Sequence, residues 1–383
     1  MRYPLVALKE FCDFSGGGKL KLTKADYLET GFPAFSAAGQ DGLVGHFEFD
    51  RPGVVVSSIG ARCGKCFLAT GKWTTLANTY AVLPDTAKAD ARFLWYQLND
   101  EASWHRSGTG QPFIKPSDIK RRQVLLPQLD EQRRIVDQLS RAEGIVRLRR
   151  QGQQKAAELI PAMFVDMFGN PATNWKGWPT SRLHDLVDFQ SGGTPSKARD
   201  DYWQGDVPWV SPKDMKRMAL YDAIDHVSGL VLAETSLKLV PAGSVLIVVR
   251  GMILAHTVPV AEARVPLTVN QDMKVLIPKI EIGSTYLLWL LQVCHDRLLA
   301  QVTTAAHGTK KLDTARLEEM VIPVPPLAMQ QAFESNVRRM EAIQQHQVNA
   351  MAKAKASFSA LLARAFSGEG ATAPVYETEG VVA

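Results

Sequence analysis

Gly110-Gln-Pro-Phe-Ile-Lys115, followed by Pro127-Gln-Leu-Asp-Glu-Gln-Arg-Arg-Ile135, is the stretch that decides the fold, because the chain writes its pattern twice. Set without a gap against the residues 198 positions later, Gly110 meets Gly308, Ile114 meets Leu312, Ile119 meets Leu317 and Val124 meets Ile322. Pro127, Leu129 and Gln132 meet Pro325, Leu327 and Gln330; Ile135 meets Phe333, Ile145 meets Ile343, and Phe168 meets Phe366. The beginnings of the copies match at a different offset, 175. Tyr3-Pro4, Leu8, Asp13-Phe14 and Gly17-Gly18 fall on Trp178-Pro179, Leu183, Asp188-Phe189 and Gly192-Gly193. The second globular part therefore carries 23 extra residues. A repeat on this scale sets the architecture before any motif is read.

Each copy is a globular part followed by a long helix. The first globular part alternates turn signals (Ser15 to Gly18, Ala38 to Gly42, Arg51 to Gly53) with short β-like runs at Val54–Ile59 and Thr79–Leu83. A helix is expected from Ala89 to Leu98. The second has the same texture, with strands at Ser244–Val249 and Val275–Ile277 and a helix from Thr285 to Leu299. Ile135, Leu139, Ala142, Val146, Arg149, Gln153, Ala156, Ile160, Met163 and Met167 then alternate by four and three, a heptad seam. Its copy reads Phe333, Val337, Met340, Gln344, Gln347, Met351, Ala354, Phe358, Leu361 and Ala365. Such seams need burial, and each finds its nearest partner in the other. Both turn polar at the middle, a device that fixes register. Pro161 should kink or interrupt the first helix. About 40 residues at ~1.5 Å each make a rod on the order of 60 Å. The expected division is 1–127 and 170–325 for the globular domains, 128–169 and 326–367 for the helices, and a disordered tail at 368–383.

Composition bounds the rest. The 383 residues exceed one ordinary domain, and 46% hydrophobic with 22% charged residues is ordinary globular usage. A net charge of +5 permits nucleic-acid binding without arguing for it. To Gly169 there are 23 basic and 18 acidic residues, against 21 and 21 afterwards. Six arginines between Arg133 and Arg150 contribute, and a solvated or partner-facing helix accounts for them as well as DNA does. Four cysteines make no secreted disulfide framework. No signal segment precedes Val6, and no apolar window nears the ~20 residues of a membrane span. A soluble, cytoplasmic protein without membrane contact is expected.

Catalytic residues are not found. Gly60-Ala-Arg-Cys-Gly-Lys65 is one residue short of a phosphate loop and lacks the hydroxyl residue after Lys65. Cys63-Gly-Lys-Cys66 has half a zinc spacing with no second half, so buried thiols are expected and no metal. Asn170-Pro-Ala-Thr173 lacks the aromatic residue with which adenine methyltransferases stack a flipped base. Candidate DNA contacts lie in polar, basic loops suited to phosphates. These are Lys19 and Lys21 in Ser15–Lys21; Thr194, Ser196 and Lys197 in its counterpart Ser191–Lys197; Arg62, Lys65, Lys72, Trp73 and Lys213. Thr109 and Gln111 precede the first helix start as His307, Lys310 and Lys311 precede the second. Asn270 and Gln271 carry amides that pair with adenine bidentately. For each, an ordinary surface turn or strand cap is the competing reading.

With these residues in view, the chain resembles the specificity subunits of type I restriction-modification systems. The resemblance is carried by Leu183-x-x-Leu-Val-Asp-Phe-Gln-Ser-Gly-Gly-Thr-Pro195, Asp206-Val-Pro-Trp-Val-Ser-Pro-Lys-Asp214, Gln111-Pro-Phe-Ile-Lys115 before Pro127-x-Leu-x-Glu-Gln-Arg-Arg-Ile135, and the tandem architecture. It implies two α/β target-recognition domains, each reading half of a bipartite double-stranded DNA site, and two helices packed as an antiparallel coiled coil that spaces the domains and docks partners. It further implies a non-catalytic chain without a cofactor. Two modification subunits would bring S-adenosylmethionine for adenine methylation, and restriction subunits would bring ATP and Mg. The second helix start, Pro-Pro-Leu-Ala-Met-Gln330, departs from the Glu-Gln-Arg-Arg pattern of the first, so equal partner contacts on the two helices do not follow. A specificity chain of a modification or phage-defence complex without a motor, a self-sufficient methyltransferase, and a coiled-coil scaffold that binds no DNA are the alternatives.

Overall fold

The computed structural model describes residues 3–108, 110–305 and 308–367, so the tail expected at 368–383 lies outside the described residues. Two compact units emerge: residues 1–150 with the chain from Asn349 onward, and residues 151–348. Unit one holds β1 (Leu5–Ala7), β2 (Cys12–Gly16), β3 (Phe32–Ser36), β4 (Gly39–Val44), β5 (Phe49–Asp50), β6 (Gly53–Ser57), β7 (Cys66–Ala69), β8 (Lys72–Thr75), β9 (Thr79–Pro84), α1 (Ala91–Leu98), α2 (Pro116–Arg121) and β10 (Gln123–Leu125). Helix α3 (Leu129–Phe168) begins in unit one and ends in unit two. Unit two continues with β11 (Thr180–Arg182), α4 (Leu183–Leu186), β12 (Val187–Ser191), β13 (Val207–Val210), β14 (Ala219–Leu220), β15 (Asp225–Val227), α5 (Gly229–Glu234), β16 (Val245–Val248), β17 (Val260–Ala263), β18 (Thr268–Val269) and β19 (Met273–Pro278). It closes with α6 (Ser284–Val293), α7 (His295–Leu299), β20 (Val302–Thr304), β21 (Lys310–Leu312), α8 (Thr314–Glu318) and β22 (Val321–Pro323) before α9 (Leu327–Phe366).

The two offsets of the repeat reappear as strand register. In unit one Leu5 pairs with Leu125, and in unit two Thr180 pairs with Pro323, which is Leu5 displaced by 175 and Leu125 displaced by 198. The main sheets share one order, β2-β9-β6-β7 and β12-β19-β16-β17, with β14 added at the second sheet's edge. Buried apolar runs rich in β-branched residues explain the central strands: Val54, Val55 and Val56 in β6 and Val245 to Val248 in β16 are covered on both faces. Beside each main sheet lies a smaller one, joined through a parallel pair, β3 with β8 and β13 with β18.

The Pro-x-Leu-x-x-Gln motif is a clamp. Gln132, wholly buried, accepts from the backbone N–H of Asp90 (2.9 Å) and donates to the carbonyls of Lys88 (2.9 Å) and Pro127 (2.8 Å). Gln330 repeats the geometry on the Gly283 N–H (2.8 Å) and the carbonyls of Glu281 (3.2 Å) and Pro325 (2.8 Å). Asp90 and Gly283 are the N-caps of α1 and α6. One buried amide thus ties the start of each long helix to the start of the domain helix, satisfying backbone groups that helix ends leave open.

Within each unit the ends of the two long helices pack antiparallel, as the resemblance implies. In unit one Ile135 and Leu139 of α3 are buried with Phe93 and Tyr96 of α1, and Phe358, Leu362, Ala365 and Phe366 of α9 cover them. In unit two Ile160, Phe164 and Phe168 from the end of α3 meet Phe333 and Val337 from the start of α9, with Tyr286 of α6 among them. Phe164 stacks on Tyr286 at 5.4 Å and meets Phe333 edge-on at 5.5 Å. Met340 packs against this core, while Val146, in the polar middle, is half-buried. Two expectations need correction. Of the kink or interruption expected at Pro161, the interruption does not occur, because burial of Phe164 and Phe168 beyond it outweighs a proline penalty of about 3 kcal/mol, and the carbonyl of Ala157 that loses its donor belongs to an exposed residue. Leu361 is exposed and Leu362 takes its place in the core.

Candidate nucleic-acid interface

The glycine pairs of the repeat serve close approach, and what approaches is the chain's own backbone. The Gly17 N–H donates to the Thr79 carbonyl (2.9 Å) and the Gly193 N–H to Val269 (2.9 Å). A Cβ on Gly17 would lie 2.2 Å from the Leu76 carbonyl oxygen, and one on Gly192 would lie 2.1 Å from that of Val269. Beyond these anchors the loops turn outward. Lys19 and Lys21 are exposed in unit one, and Thr194, Ser196 and Lys197 in unit two, where the Thr194 hydroxyl is bonded to exposed Gln271.

A second pair of loops is also built twice. In unit one the Gly60 N–H donates to the Pro112 carbonyl and the Ile114 N–H to Ser58, both at 2.9 Å. In unit two the Gly251 N–H donates to Lys310 (3.0 Å) and the Leu312 N–H to Val249 (2.9 Å). Gly60 and Gly251 have φ of +108° and +133° with open space where a Cβ would stand, so conformation and not crowding demands glycine there. This junction brings Arg62 and Gln111 to neighbouring loops of unit one, and joins Lys310 and Lys311 to Arg250 in unit two. Arg62 pairs with Glu101 at 3.0 Å, and Lys310 Nζ donates to the Thr304 hydroxyl at 2.9 Å. Exposed Arg250 was not anticipated; its signal is that Val249-Arg-Gly251 ends a buried strand as Ser58-Ile-Gly60 does. Thr109 and His307 lie outside the described residues.

Other candidates fall elsewhere. Trp73 is fully buried between Phe35 and Phe49, with its indole N–H on the Arg51 carbonyl (2.8 Å), so it is corrected to a core residue. Asn270 is corrected likewise: buried, it bonds the Asp272 carboxylate (3.2 Å) and accepts from the Asp272 N–H (3.1 Å), shaping the turn before β19. Exposed Lys72 lies 4.8 Å over the Phe47 ring, and Lys65 is half-buried. Cys63 and Cys66 are buried thiols donating to the carbonyls of Ser58 (3.3 Å) and Leu98 (3.2 Å), and burial pushes both pKa values up.

Lys197 and Lys213 converge. They flank an open cavity of about 550 Å³ in unit two, floored by Trp203 and Trp209, whose rings meet edge to face at 5.0 Å. Both indole N–H groups are spent on backbone carbonyls, Trp203 on Ser196 (3.2 Å) and Trp209 on Gly193 (3.0 Å). The loop that carries the lining residues Ser211 and Lys213 is braced by Asp214, which accepts from the N–H and hydroxyl of Ser211 (2.9 and 3.0 Å) and from the Ile224 N–H (2.9 Å). Lys213 reaches Asp225 across this loop at 2.6 Å. Next to the cavity Arg199 stacks on Tyr202 and pairs with Asp201, whose carboxyl this contact holds below its usual pKa. Lys197, Asp200 and Gln204 line the opening, exposed, with no side-chain partner among the described residues.

Known proteins share this architecture. The family described as type I restriction modification DNA specificity domain matches residues 3–158 and again 175–348, once per copy. The EcoR124I/EcoR124II specificity subunit of Escherichia coli is 36% identical over 155 residues, 40% of this chain and 38% of that protein. The MjaIX specificity subunit of Methanocaldococcus jannaschii is 31% identical over 162 residues, 41% and 36% of the two chains. The similarity thus spans less than two fifths of either relative's length. Over nearly its whole length the fold is similar to the S subunit of a type I restriction-modification system from M. genitalium, at TM-score 0.59 and 17% identity, covering 96% of each chain. A chain from a type I system solved for its complex assembly and conformational transition gives TM-score 0.61 and 19% identity, covering 95% of this chain and 97% of that one. No helix among the described residues is long and apolar enough to cross a membrane. Matched twice along its length by the specificity-domain family, on two copies of one fold, the chain belongs to the type I restriction modification DNA specificity family.

Proposed function

We propose that this chain is a cytoplasmic, non-catalytic DNA-reading subunit. Its domains, 1–127 and 170–325, each contact one half of a bipartite site in double-stranded DNA. The family match falling once on each copy carries this reading, and the paired basic loops in each unit supply phosphate contacts. The chain needs no cofactor of its own. Adenine methylation with S-adenosylmethionine, and restriction with ATP and Mg, belong to two modification subunits and to restriction subunits docked on the long helices. Exposed apolar side chains support that docking: Ile145 and Leu148 of α3 in unit one, Ile343 and Val348 of α9 in unit two.

The test is replacement of residues 174–325 with the equivalent part of a related chain, followed by sequencing of methylated bases in cells that express the partners. One half of the methylated motif should change and the other persist. A change in both halves refutes modular reading. DNA affinity of the complex that does not fall with salt refutes phosphate-anchored binding.

A further inference from the structure

The internal repeat allows the chain to be compared with itself. Where the copies keep the same chemistry, the structure has a scaffold reason: Gln132 and Gln330 clamp helix starts, and Gly17 and Gly192 admit a crossing backbone. Between β2 and β3, and between β12 and β13, the offset stays at 175, so the loops have equal length. Gly16 matches Ser191 at one end and Phe35 matches Val210 at the other, each of the latter pair being in parallel register with β8 or β18. Within that equal loop the cavity residues fall on different residues. Lys197 meets Leu22, Trp203 meets Leu28, Gln204 meets Glu29 and Trp209 meets Ala34. The frame is shared, Ser211 meeting Ser36, and most of the lining has been replaced.

Folding calls for the floor and not for the rim: Trp209 is buried in a small core against which Trp203 packs. Lys197 and Gln204 are exposed without a side-chain partner among the described residues, while the indole N–H groups beneath them are already satisfied. What remains toward solvent is a lone ammonium and a free amide over an aromatic floor. Lys213 and Asp225 neutralise each other on one side, and the free Asp200 carboxylate repels phosphate from its own edge. A DNA backbone can therefore approach on the Lys197 side, which leaves the Gln204 amide for a base edge, where glutamine pairs with adenine N6 and N7.

Resting on the DNA reading above, we propose that this Trp203–Trp209 cavity discriminates the half-site of the second domain, Lys197 holding a phosphate and Gln204 reading a base. The test uses the complex with its modification subunits and duplexes carrying single-base changes across the methylated motif. Gln204→Ala should flatten discrimination at one base pair of one half-site by about ten-fold, leaving the other half unaltered. Lys197→Ala should weaken all sequences alike and lower the salt slope by about 1. Gln204→Glu, which installs the first copy's residue, should shift the preference at that base pair toward a cytosine N4 donor. A Gln204→Ala complex that keeps the parental discrimination at every position overturns the site while the DNA reading stands. A parental complex without salt-dependent DNA binding overturns that reading and the site with it.

Discussion

Replacing Gln330 with leucine puts the clamp to its most direct test. The substitution keeps roughly the buried volume and removes three hydrogen bonds, leaving the Gly283 N–H and the carbonyls of Glu281 and Pro325 without their partner. An orphaned buried N–H costs about 1–3 kcal/mol. The carbonyls cost less, roughly 1 kcal/mol between them, since each keeps a lone pair that water can reach on relaxation. Leucine is easier to bury than an amide and returns part of this, so the expected loss is about 3 kcal/mol. For a unit of this size each kcal/mol shifts the transition by roughly 2–4 °C, so unit two should melt about 6–12 °C lower. Hydrogen exchange followed by mass spectrometry locates the effect: amides at the start of α6 should lose protection while those of α1 keep theirs. Gln132→Leu should give the mirror result in unit one. A loss below about 1 kcal/mol for both variants, or loosening of both units by either, would refute the clamp.

Four further outcomes follow from particular contacts. Glu262, 2% exposed, accepts from Arg338 (3.0 Å) and Arg264 (3.3 Å), so Glu262→Gln should destabilise unit two by about 3–5 kcal/mol, and by clearly less in an Arg338→Met background. In unit one the Arg134 guanidinium, with the Tyr3 hydroxyl, holds the Glu131 carboxyl below its ordinary 4.5. Its stabilisation is present above that value and is lost as the pH falls through the lower folded one, so acid titration of unit-one unfolding should flatten in Glu131→Gln. Glu341, raised by burial, has the opposite sign: its contribution is present below the unfolded value and lost as the pH rises through the folded one. Trp73→Ala should cost about 3–5 kcal/mol through cavity formation while the DNA affinity of the folded complex at fixed salt stays parental; a weakened affinity would return Trp73 to the interface.

Long-range order was legible where it left a periodic or repeated trace. The offsets of 175 and 198 already encoded the register of Leu5 with Leu125 and of Thr180 with Pro323. The seams located Ile135, Leu139, Ile160, Phe333 and Val337 in the cores. Single contacts left no such trace. Trp73 looks like any aromatic beside a lysine until β8 is seen lying under Phe35 and Phe49. Asn270 reads as an amide for bases until the Asp272 turn claims both its ends. Heptad counting placed Leu361 on the seam, but a straight helix drifts against a strict 3.5-residue period, and by the last turns Leu362 faces inward. Glu262 was invisible because a carboxylate on a short strand reads as a solvent-facing residue until its two arginines are placed beside it.

The exchange of helix ends makes the two units unequal during synthesis. Unit two is one uninterrupted run, 151–348, whereas unit one needs the helix from Asn349 onward. As the ribosome works from the N-terminus, the first 150 residues emerge early with Phe93, Tyr96, Ile135 and Leu139 uncovered, awaiting Phe358, Leu362 and Phe366. That apolar strip stays open for the time needed to make some two hundred further residues, about 10–40 s at typical elongation rates. Any similar helix end supplied earlier, by a neighbouring copy of this chain, competes for the strip. Completion of unit one is therefore a race between the chain's own α9 and another molecule's.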